Sequence, residues 1–282
     1  MTQQLATRPL GDALGLEVTG VDLSAPVPDE VFDEIKEHFW QNPVLVFRGQ
    51  DLDAHKVAAV GRRFGPLQLH VLIDYRHEEV PEVSWLTNVK KDGSLDALGY
   101  KRATTWHSDG TFEERPPAVA ILHAKEIPSK GGGTMFCNMI RAYETLPDET
   151  RERIGGLTGR HLYAAGPGGN ATVPLKDFQK GDLPEVHHPV VRTHPESGRK
   201  MLYVNSIHTF GFVEIEGEEG ETLLNGLLDH ATKDEFVYHH RWRPGDVVMW
   251  DERATMHRGA GDYAPDERRI MLRTISYGER PA

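Results

Sequence analysis

Three histidines in this sequence are each followed two residues later by a carboxylate, a spacing that suits metal binding. The three segments are His77-Glu78-Glu79, His107-Ser108-Asp109 and His194-Pro195-Glu196. In an extended strand, residues i and i+2 point to the same face, so such a pair can bind one metal ion from one side. His77 lies in a charged stretch and His194 begins a turn, so we expect polar surface at both.

The His107–Asp109 pair differs because Trp106 and Phe112 flank it, which indicates partial burial. A buried carboxylate costs free energy unless it is paired or bound to a metal. On its own, the pair is more typical of an ordinary hydrogen bond between histidine and aspartate than of a metal site. A further ligand elsewhere in the chain would favour the metal.

Further candidates follow in the last part of the chain. His257 comes after a predicted turn at 243–246 and a predicted strand at 247–250. In the next predicted strand, Arg269 and Arg273 share one face. Two arginines on a strand face normally form a solvated rim. The alternative is a face that binds an anion, because a guanidinium group binds a carboxylate through two parallel hydrogen bonds.

Together these residues fit one coordination pattern. Two neutral imidazoles and one carboxylate bind one side of Fe(II) and leave three positions open. A 2-oxo acid can fill two of these and dioxygen the third, and an arginine at some distance can bind the far carboxylate of the acid. His107, Asp109, His257 and Arg269 supply these four roles in the expected order along the chain.

The composition argues against several other classes of protein. The chain has 282 residues and a net charge of -11, whereas a general nucleic-acid binder needs a basic surface. Cys137 is the single cysteine, which excludes an intrachain disulfide and a multi-cysteine metal site and fits a cytoplasmic location. We find no long apolar run and no signal-like N-terminus, so we expect neither a membrane span nor secretion.

The elements that must position these residues are mainly short β-strands separated by glycine and proline. Strands are predicted at 15–21, 43–47, 83–86, 118–124, 135–139, 161–165, 190–193, 201–205, 236–242, 246–250 and 269–277. Amphipathic helices are predicted after Pro28, at 51–64 and at 218–232. The segments 87–103 and 165–185 are predicted to be loops, either lids or plain surface. The pattern predicts one domain, 1–282, mainly β with flanking helices and of jelly-roll type.

Short motifs along the chain occur in an order and at spacings typical of one enzyme family. They lie at 15–23, 46–50, 63–67, 106–109, 132–134, 194–200 and 250–251. On these motifs the sequence resembles the taurine dioxygenase / 2,4-dichlorophenoxyacetate dioxygenase (TauD/TfdA) family of Fe(II)- and 2-oxoglutarate-dependent enzymes, over nearly its whole length. The resemblance implies a double-stranded β-helix with iron near its open end.

The resemblance also implies a role for the candidate ligands. His107, Asp109 and His257 would bind Fe(II). Arg269, assisted by the hydroxyl of Thr134, would bind the distal carboxylate of 2-oxoglutarate. Without the family, a turn or strand hydroxyl with no function would be the simpler interpretation of Thr134.

Two residues would contact the substrate. Arg273 resembles the position that meets the acidic group of the substrate, and His70 resembles a pocket residue near that group, although a lone histidine after a turn is more often on the surface.

The interval from His257 to the arginines is one residue longer than in close relatives, which makes Arg268 an alternative to Arg269. Alternation along the strand favours Arg269, since it shares a face with Arg273.

Three further residues differ from the family pattern. Glu252 stands where relatives usually have asparagine after Trp-Asp. Thr104 and Thr105 stand where the taurine enzyme has amide side chains that contact its substrate, which argues against taurine itself. Asp109 argues against the halogenase variant of the family, which needs that ligand position vacant for a halide.

The implied reaction is the hydroxylation of a small to medium organic acid, aryloxyalkanoate-, sulfonate- or sulfate-ester-like, with 2-oxoglutarate and O2 giving succinate and CO2. Hydroxylation next to a heteroatom would end in C–O, C–N or C–S cleavage. The family also implies a homo-oligomer, a dimer or a tetramer.

Two other classes of protein remain open on the residues alone. A zinc-dependent hydrolase could use the same three ligands but would not need Arg269, and a non-catalytic β-barrel binding protein would consume no oxygen.

Overall fold

The computed structural model describes residues 5–70, 73–96, 99–101, 103–169 and 184–282. The strands are β1 (Ala6–Pro9), β2 (Leu16–Thr19), β3 (Val44–Phe47), β4 (Ser84–Thr87), β5 (Pro117–Glu126), β6 (Thr134–Asn138), β7 (Thr158–His161), β8 (Val186–Pro189), β9 (Val191–Thr193), β10 (Lys200–Leu202), β11 (Thr209–Phe212), β12 (Val237–His240), β13 (Val247–Asp251), β14 (Thr255–Gly259) and β15 (Ile270–Tyr277). The helices are α1 (Asp29–Gln41), α2 (Ala54–Arg62), α3 (Met139–Glu144), α4 (Asp148–Ile154) and α5 (Gly217–Ala231). Short 3-10 turns lie at Ile73–Tyr75, Gly99–Lys101 and Asp234–Phe236.

The main sheet has seven strands in the order β1-β2-β3-β13-β5-β15-β4. Neighbouring strands pair antiparallel, apart from the parallel pair β2 and β3. Along β3, Leu45 and Phe47 pack with α1 and α2, whereas Val44 and Val46 pack on the opposite face. Because successive side chains alternate between faces and both faces are covered, this strand is apolar throughout.

The two N-terminal helices form where the sequence predicts them. Helix α1 follows Pro28 and buries Phe32, Ile35 and Phe39, whose spacing of three and four residues puts them on one face. Helix α2 begins after Asp53, whose side chain accepts a hydrogen bond from the third residue beyond it and so caps the helix. Both helices therefore cover one face of the main sheet.

Smaller sheets lie on the other face, in the orders β12-β6-β14, β11-β7-β8 and β10-β9. Phe136 of β6 and Trp242 pack in the same apolar cluster as Val44 of the main sheet. Beyond this layer, Ile140 of α3 and Leu224 of α5 belong to a further buried cluster. This arrangement confirms the predicted fold class, a mainly β double-stranded β-helix (jelly roll) with flanking helices.

The observed strands depart from the predicted ones in a few places. The strand predicted at 161–165 lies at 158–161 instead, because the chain turns after His161 and Ala164 adopts a positive φ of 56°. Strands β1, β8, β11 and β14 were not predicted, since each is only four or five residues long and contains proline, glycine or several polar residues. Short strands of this kind carry too little alternation to be recognised.

The two predicted loops are only partly described. Within 87–103, an isolated β-bridge joins Val89 to Leu95 before the 3-10 turn at Gly99–Lys101. Of the loop predicted at 165–185, residues 170–183 lie outside the described residues. Within the described part of the chain, no helix combines the length and apolar character needed to cross a membrane.

The prediction that His194 is polar surface is wrong. Its side chain is buried, and its Nε2 lies 2.9 Å from Oδ2 of Asp251 at the end of β13. Buried Arg253 donates to the same Asp251 oxygen over 2.7 Å and lies 3.0 Å from a carboxylate oxygen of Glu196. Burial opposes ionisation of Asp251, but the charge and hydrogen bonding of Arg253, together with His194, outweigh it and hold the pKa of this carboxyl below its usual range. The 194–196 segment therefore anchors the turn between β13 and β14.

Candidate metal centre and its pocket

The structure brings together the three residues that the sequence predicts as metal ligands. His107, Asp109 and His257 each offer a ligand atom, and these atoms all lie within 4.8 Å of one another. Among the residues that the structure describes, no other histidine, cysteine, aspartate or glutamate side chains form such a group. Nε2 of His107 is 3.5 Å from Oδ1 of Asp109. The trio is therefore shaped for a single ion.

Hydrogen bonds to and between backbone groups hold the segments that carry this trio together. His107 and His257 form an antiparallel β-bridge, in which each N–H donates to the other residue's carbonyl, over 3.0 and 2.6 Å. The hydroxyl of Ser108 donates to the Thr255 carbonyl over 2.7 Å, and Nδ2 of buried Asn205 donates to the Ser108 carbonyl over 2.7 Å. The segment that carries two of the ligands is thus bonded directly to β14, which carries the third.

The protonation of the trio suits a divalent cation. Nδ1 of His107 lies 2.8 Å from the Thr105 carbonyl, which can only accept, so Nδ1 carries the proton and Nε2 keeps its lone pair. Burial lowers the pKa of His257 to about 3, with the neighbouring His107 adding to the effect. Burial raises the pKa of Asp109, but the Arg273 charge and smaller contributions from the neighbouring histidines together outweigh it and hold the pKa of this carboxyl below its usual range. Two neutral imidazoles and a carboxylate are the donor set that non-haem Fe(II) sites use.

Arg269 faces the same pocket, as strand alternation predicts. Its Nε donates to the Gly132 carbonyl over 3.1 Å and its Nη2 to the Thr134 hydroxyl over 3.5 Å. Arg268 instead points outward and pairs with Glu126 over 3.0 Å, with 48% of its side chain exposed. Burial lowers the pKa of Arg269 to about 10, so the guanidinium stays charged at neutral pH.

Thr134 also contacts a residue that the sequence analysis did not identify. Nε1 of buried Trp242 donates to the Thr134 hydroxyl oxygen over 3.0 Å. A hydroxyl oxygen accepts up to two hydrogen bonds and donates one. Because Trp242 and Arg269 both donate to it, the hydrogen of Thr134 is left to donate to a third group. An anionic ligand accepts hydrogen bonds, so a free hydroxyl hydrogen of this kind suits it.

The glycines before Thr134 are required by close packing. Gly131 and Gly132 have φ values of 71° and 68°, in the left-handed region that favours glycine. A Cβ atom on Gly131 would lie 2.4 Å from the Asp262 carbonyl oxygen, and one on Gly133 would lie 2.2 Å from Nε2 of His239. The glycine run therefore lets the chain pass close enough to present the Gly132 carbonyl to Arg269.

Arg273 lies beside the candidate metal ligands. Its Nη1 donates to Oδ2 of Asp109 over 2.9 Å, and its side chain is 14% exposed. Its Nε is buried and has no hydrogen-bond partner among the described residues. Arg273 therefore presents a partly unsatisfied cation next to the trio.

All seven residues predicted for the site line one cavity of about 260 Å³. They are His70, His107, Asp109, Thr134, His257, Arg269 and Arg273. Aromatic and aliphatic side chains form much of the remaining wall: Tyr75, Trp85, Leu86, Leu122, Trp250 and Tyr263. The ring of His70 lies 5.8 Å from that of Tyr75. A small, mostly apolar cavity with a few convergent charged groups is the usual form of a small-molecule site.

Further residues, to which the sequence alone did not point, hold this site. Oδ1 of Asn88 accepts from the Arg269 backbone N–H over 2.8 Å, which fixes the start of β15. Glu252 was noted only as a difference from the family, yet it is buried and its Oε2 accepts from the Asp109 backbone N–H over 3.0 Å. Burial, and then the charge of Asp109, raise the pKa of Glu252 well above its usual value. Nothing in the local sequence distinguishes such residues from other polar ones.

A jelly-roll fold whose cavity brings two histidines and one carboxylate together is typical of non-haem iron enzymes. The sequence profile described as "Taurine catabolism dioxygenase TauD, TfdA family" matches residues 6–275. The chain belongs to this family, which confirms the resemblance seen in the motifs.

Individual relatives match along most of their length. The chain is 34% identical over 264 residues to the alpha-ketoglutarate-dependent 2,4-dichlorophenoxyacetate dioxygenase of Cupriavidus pinatubonensis, covering 90% of this chain and 92% of that protein. It is 32% identical to pentalenolactone F synthase of Streptomyces arenae, covering 97% and 94%. The crystal structure of AAD-2 in complex with Mn(II) and N-oxalylglycine superposes with a TM-score of 0.85 at 32% identity, covering 99% and 98%.

Proposed function

We propose that this protein is an Fe(II)- and 2-oxoglutarate-dependent dioxygenase that hydroxylates a small to medium organic acid. The observation that carries the proposal is that one cavity contains both the His107–Asp109–His257 trio and the Arg269–Thr134 pair. A metal-dependent hydrolase would need the trio alone. Membership of the TauD, TfdA family supports the same conclusion.

The trio would hold the iron. Nε2 of His107, kept free by the bond from Nδ1 to a carbonyl, would bind together with His257 and Asp109. When bound, iron with 2-oxoglutarate activates dioxygen and supplies the oxidant that attacks a substrate C–H bond. The bridge between His107 and His257 would keep the ligands in place, because neither backbone can move without breaking hydrogen bonds to the other.

Arg269 and Thr134 would bind the distal carboxylate of 2-oxoglutarate. The hydrogen bonds that the structure records for Arg269 go to a carbonyl and a hydroxyl, both neutral, so its charge is not neutralised by them. Hydrogen bonds between a guanidinium and a carboxylate are among the strongest in proteins. Thr134, with Trp242 donating to its oxygen, would add its own hydrogen to the carboxylate.

Arg273 and His70 would face the acidic group of the substrate. Arg273 is held beside Asp109, which would place the substrate acid close to the reacting centre. The aromatic and aliphatic wall formed by Tyr75, Trp85 and Leu86 suits an apolar body attached to that acid, and it would exclude water from the reaction. We therefore propose aryloxyalkanoate-, sulfonate- or sulfate-ester-like acids as substrates, with bond cleavage where hydroxylation falls next to a heteroatom.

Other properties belong to the same proposal. We propose that the chain acts as one domain, 1–282, in the cytoplasm and as a homo-oligomer, a dimer or a tetramer. The reducing cytoplasm fits a chain with the single cysteine Cys137, which is buried. The net charge of -11 supports small-molecule rather than nucleic-acid partners.

The test is an anaerobic titration of the metal-free protein with Fe(II) and 2-oxoglutarate, followed by visible absorption. We expect a weak charge-transfer band that needs both additions, and succinate once air and a substrate acid are admitted. Candidate acids added to the same sample should perturb the band where they bind. Iron binding without a band, and without succinate, would refute the proposal and favour a hydrolase or a binding protein.

A further inference from the structure

Glu252 places a second carboxylate directly behind the candidate metal centre. It lies between β13 and β14 and is only 1% exposed. Its Oε1 accepts a hydrogen bond from Nε1 of Trp250 over 2.7 Å, and its Oε2 accepts one from the backbone N–H of Asp109 over 3.0 Å. Both carboxylate oxygens therefore have a donor, and one of these donors belongs to a residue of the trio.

The same Oε2 atom also faces a second residue of the trio. It lies 3.7 Å from Nδ1 of His257, and this nitrogen is buried with no hydrogen-bond partner among the described residues. A histidine that binds a metal through one ring nitrogen nearly always donates its other N–H to an acceptor, which fixes the ring orientation. A shift of about 0.7 Å would bring this pair to ordinary hydrogen-bond length.

From these contacts we infer that Glu252 is a positioning residue, which holds the Asp109 backbone and the His257 ring together through one oxygen atom. The inference rests on the proposed function, since it takes Asp109 and His257 to be metal ligands. Oε2 has enough lone pairs for both donors in either protonation state of Glu252. Removing this acceptor would leave the Asp109 N–H without a partner and take away the acceptor nearest to Nδ1 of His257, so it would loosen two ligands at once.

The first test compares E252M with the matched control E279M. Methionine is close to glutamate in length but offers no comparable acceptor, and Glu279 contacts Arg253 and Arg192 without contacting the trio. The measurements are the affinity for Co(II) alone, by calorimetry, and the visible spectrum of the Co(II) protein. We expect E252M to bind Co(II) about 10- to 100-fold more weakly with an altered spectrum, and E279M to resemble the wild type. Equal affinity and spectrum in E252M and wild type would overturn the inference.

E252L keeps the inference testable if E252M fails to fold. Leucine has no acceptor, so it removes the partner of the Asp109 N–H as methionine does, but in a shorter side chain. We expect weaker Co(II) binding and an altered spectrum, as for E252M. A Co(II) affinity and spectrum identical to wild type in E252L would refute the positioning role.

The two proposals fail in different ways. H257A shows whether Co(II) binds at the trio, since it should abolish the wild-type spectrum. If wild type binds Co(II) there but forms no charge-transfer band with Fe(II) and 2-oxoglutarate, the proposed function fails, while the Co(II) comparison still decides the role of Glu252. If the band forms and E252M matches wild type, only the Glu252 inference fails.

Discussion

Replacing Arg269 with methionine tests most directly whether the pocket binds 2-oxoglutarate. R269M keeps most of the side-chain length but removes the guanidinium that donates to the Gly132 carbonyl and the Thr134 hydroxyl. Truncating one partner of a buried, hydrogen-bonded charge pair costs about 2–5 kcal/mol. Arg269 is only partly buried, so we expect the lower part of this range, about 2–3 kcal/mol. This corresponds to about 30- to 150-fold weaker binding of 2-oxoglutarate.

The assay is the anaerobic charge-transfer titration, which reports 2-oxoglutarate affinity without turnover. R268M is the matched control, because Arg268 is the next residue but points outward to Glu126. An exposed ion pair of this kind contributes about 0–1 kcal/mol, so R268M should bind 2-oxoglutarate within a few-fold of wild type. The Co(II) affinity of both variants should be unchanged, since neither residue belongs to the trio.

Pyruvate provides a second control on the ligand. It has the 2-oxo acid that would chelate the metal but lacks the distal carboxylate that Arg269 would bind. Pyruvate should therefore bind wild type weakly, and R269M should bind it no more weakly than wild type does. Refutation would come from R269M retaining wild-type affinity for 2-oxoglutarate, or from R268M losing as much as R269M.

Four further changes test other parts of the site and its scaffold. W242F should weaken 2-oxoglutarate binding by about 1 kcal/mol, because Thr134 loses the donor that orients its hydroxyl, and the same titration measures this with substrate affinity unchanged. R273M should raise the substrate KM and leave 2-oxoglutarate affinity nearly intact; equal losses of both would contradict the division of roles. N205A should lower the free energy of unfolding in urea by about 1–3 kcal/mol, since it removes the bond to the segment carrying two ligands. Burial lowers the pKa of His188 to about 4, so between about pH 6.5 and 4 the unfolded chain binds a proton that the folded chain does not. Stability should fall as pH decreases through this window, and H188Q should flatten the slope; an unchanged slope would contradict the assignment.

The parts of the molecule that the sequence predicted are those encoded by local pattern. His107 and Asp109 are two residues apart, and alternation along β15 correctly selected Arg269 over Arg268 as the arginine that faces the pocket. Helix α1 was recognisable from apolar residues at helical spacing. The assignment of His257 as the third ligand depended on the coordination pattern and the family motifs. The 147 residues between it and Asp109 contain no local signal that the two should meet.

The residues that were missed all act between distant parts of the chain. Trp242 donates to a hydroxyl 108 positions away, Asn205 to a carbonyl 97 positions away, and Asn88 accepts from a backbone group 181 positions away. His194 was assigned to the surface because its Pro-Glu sequence is typical of a turn, yet its side chain folds against Asp251 and is buried. In each case a polar side chain satisfies a group that only the tertiary structure buries. Local pattern and family motifs can therefore single out candidate ligands, whereas the residues that hold them in place become visible only when the two layers of the jelly roll are assembled.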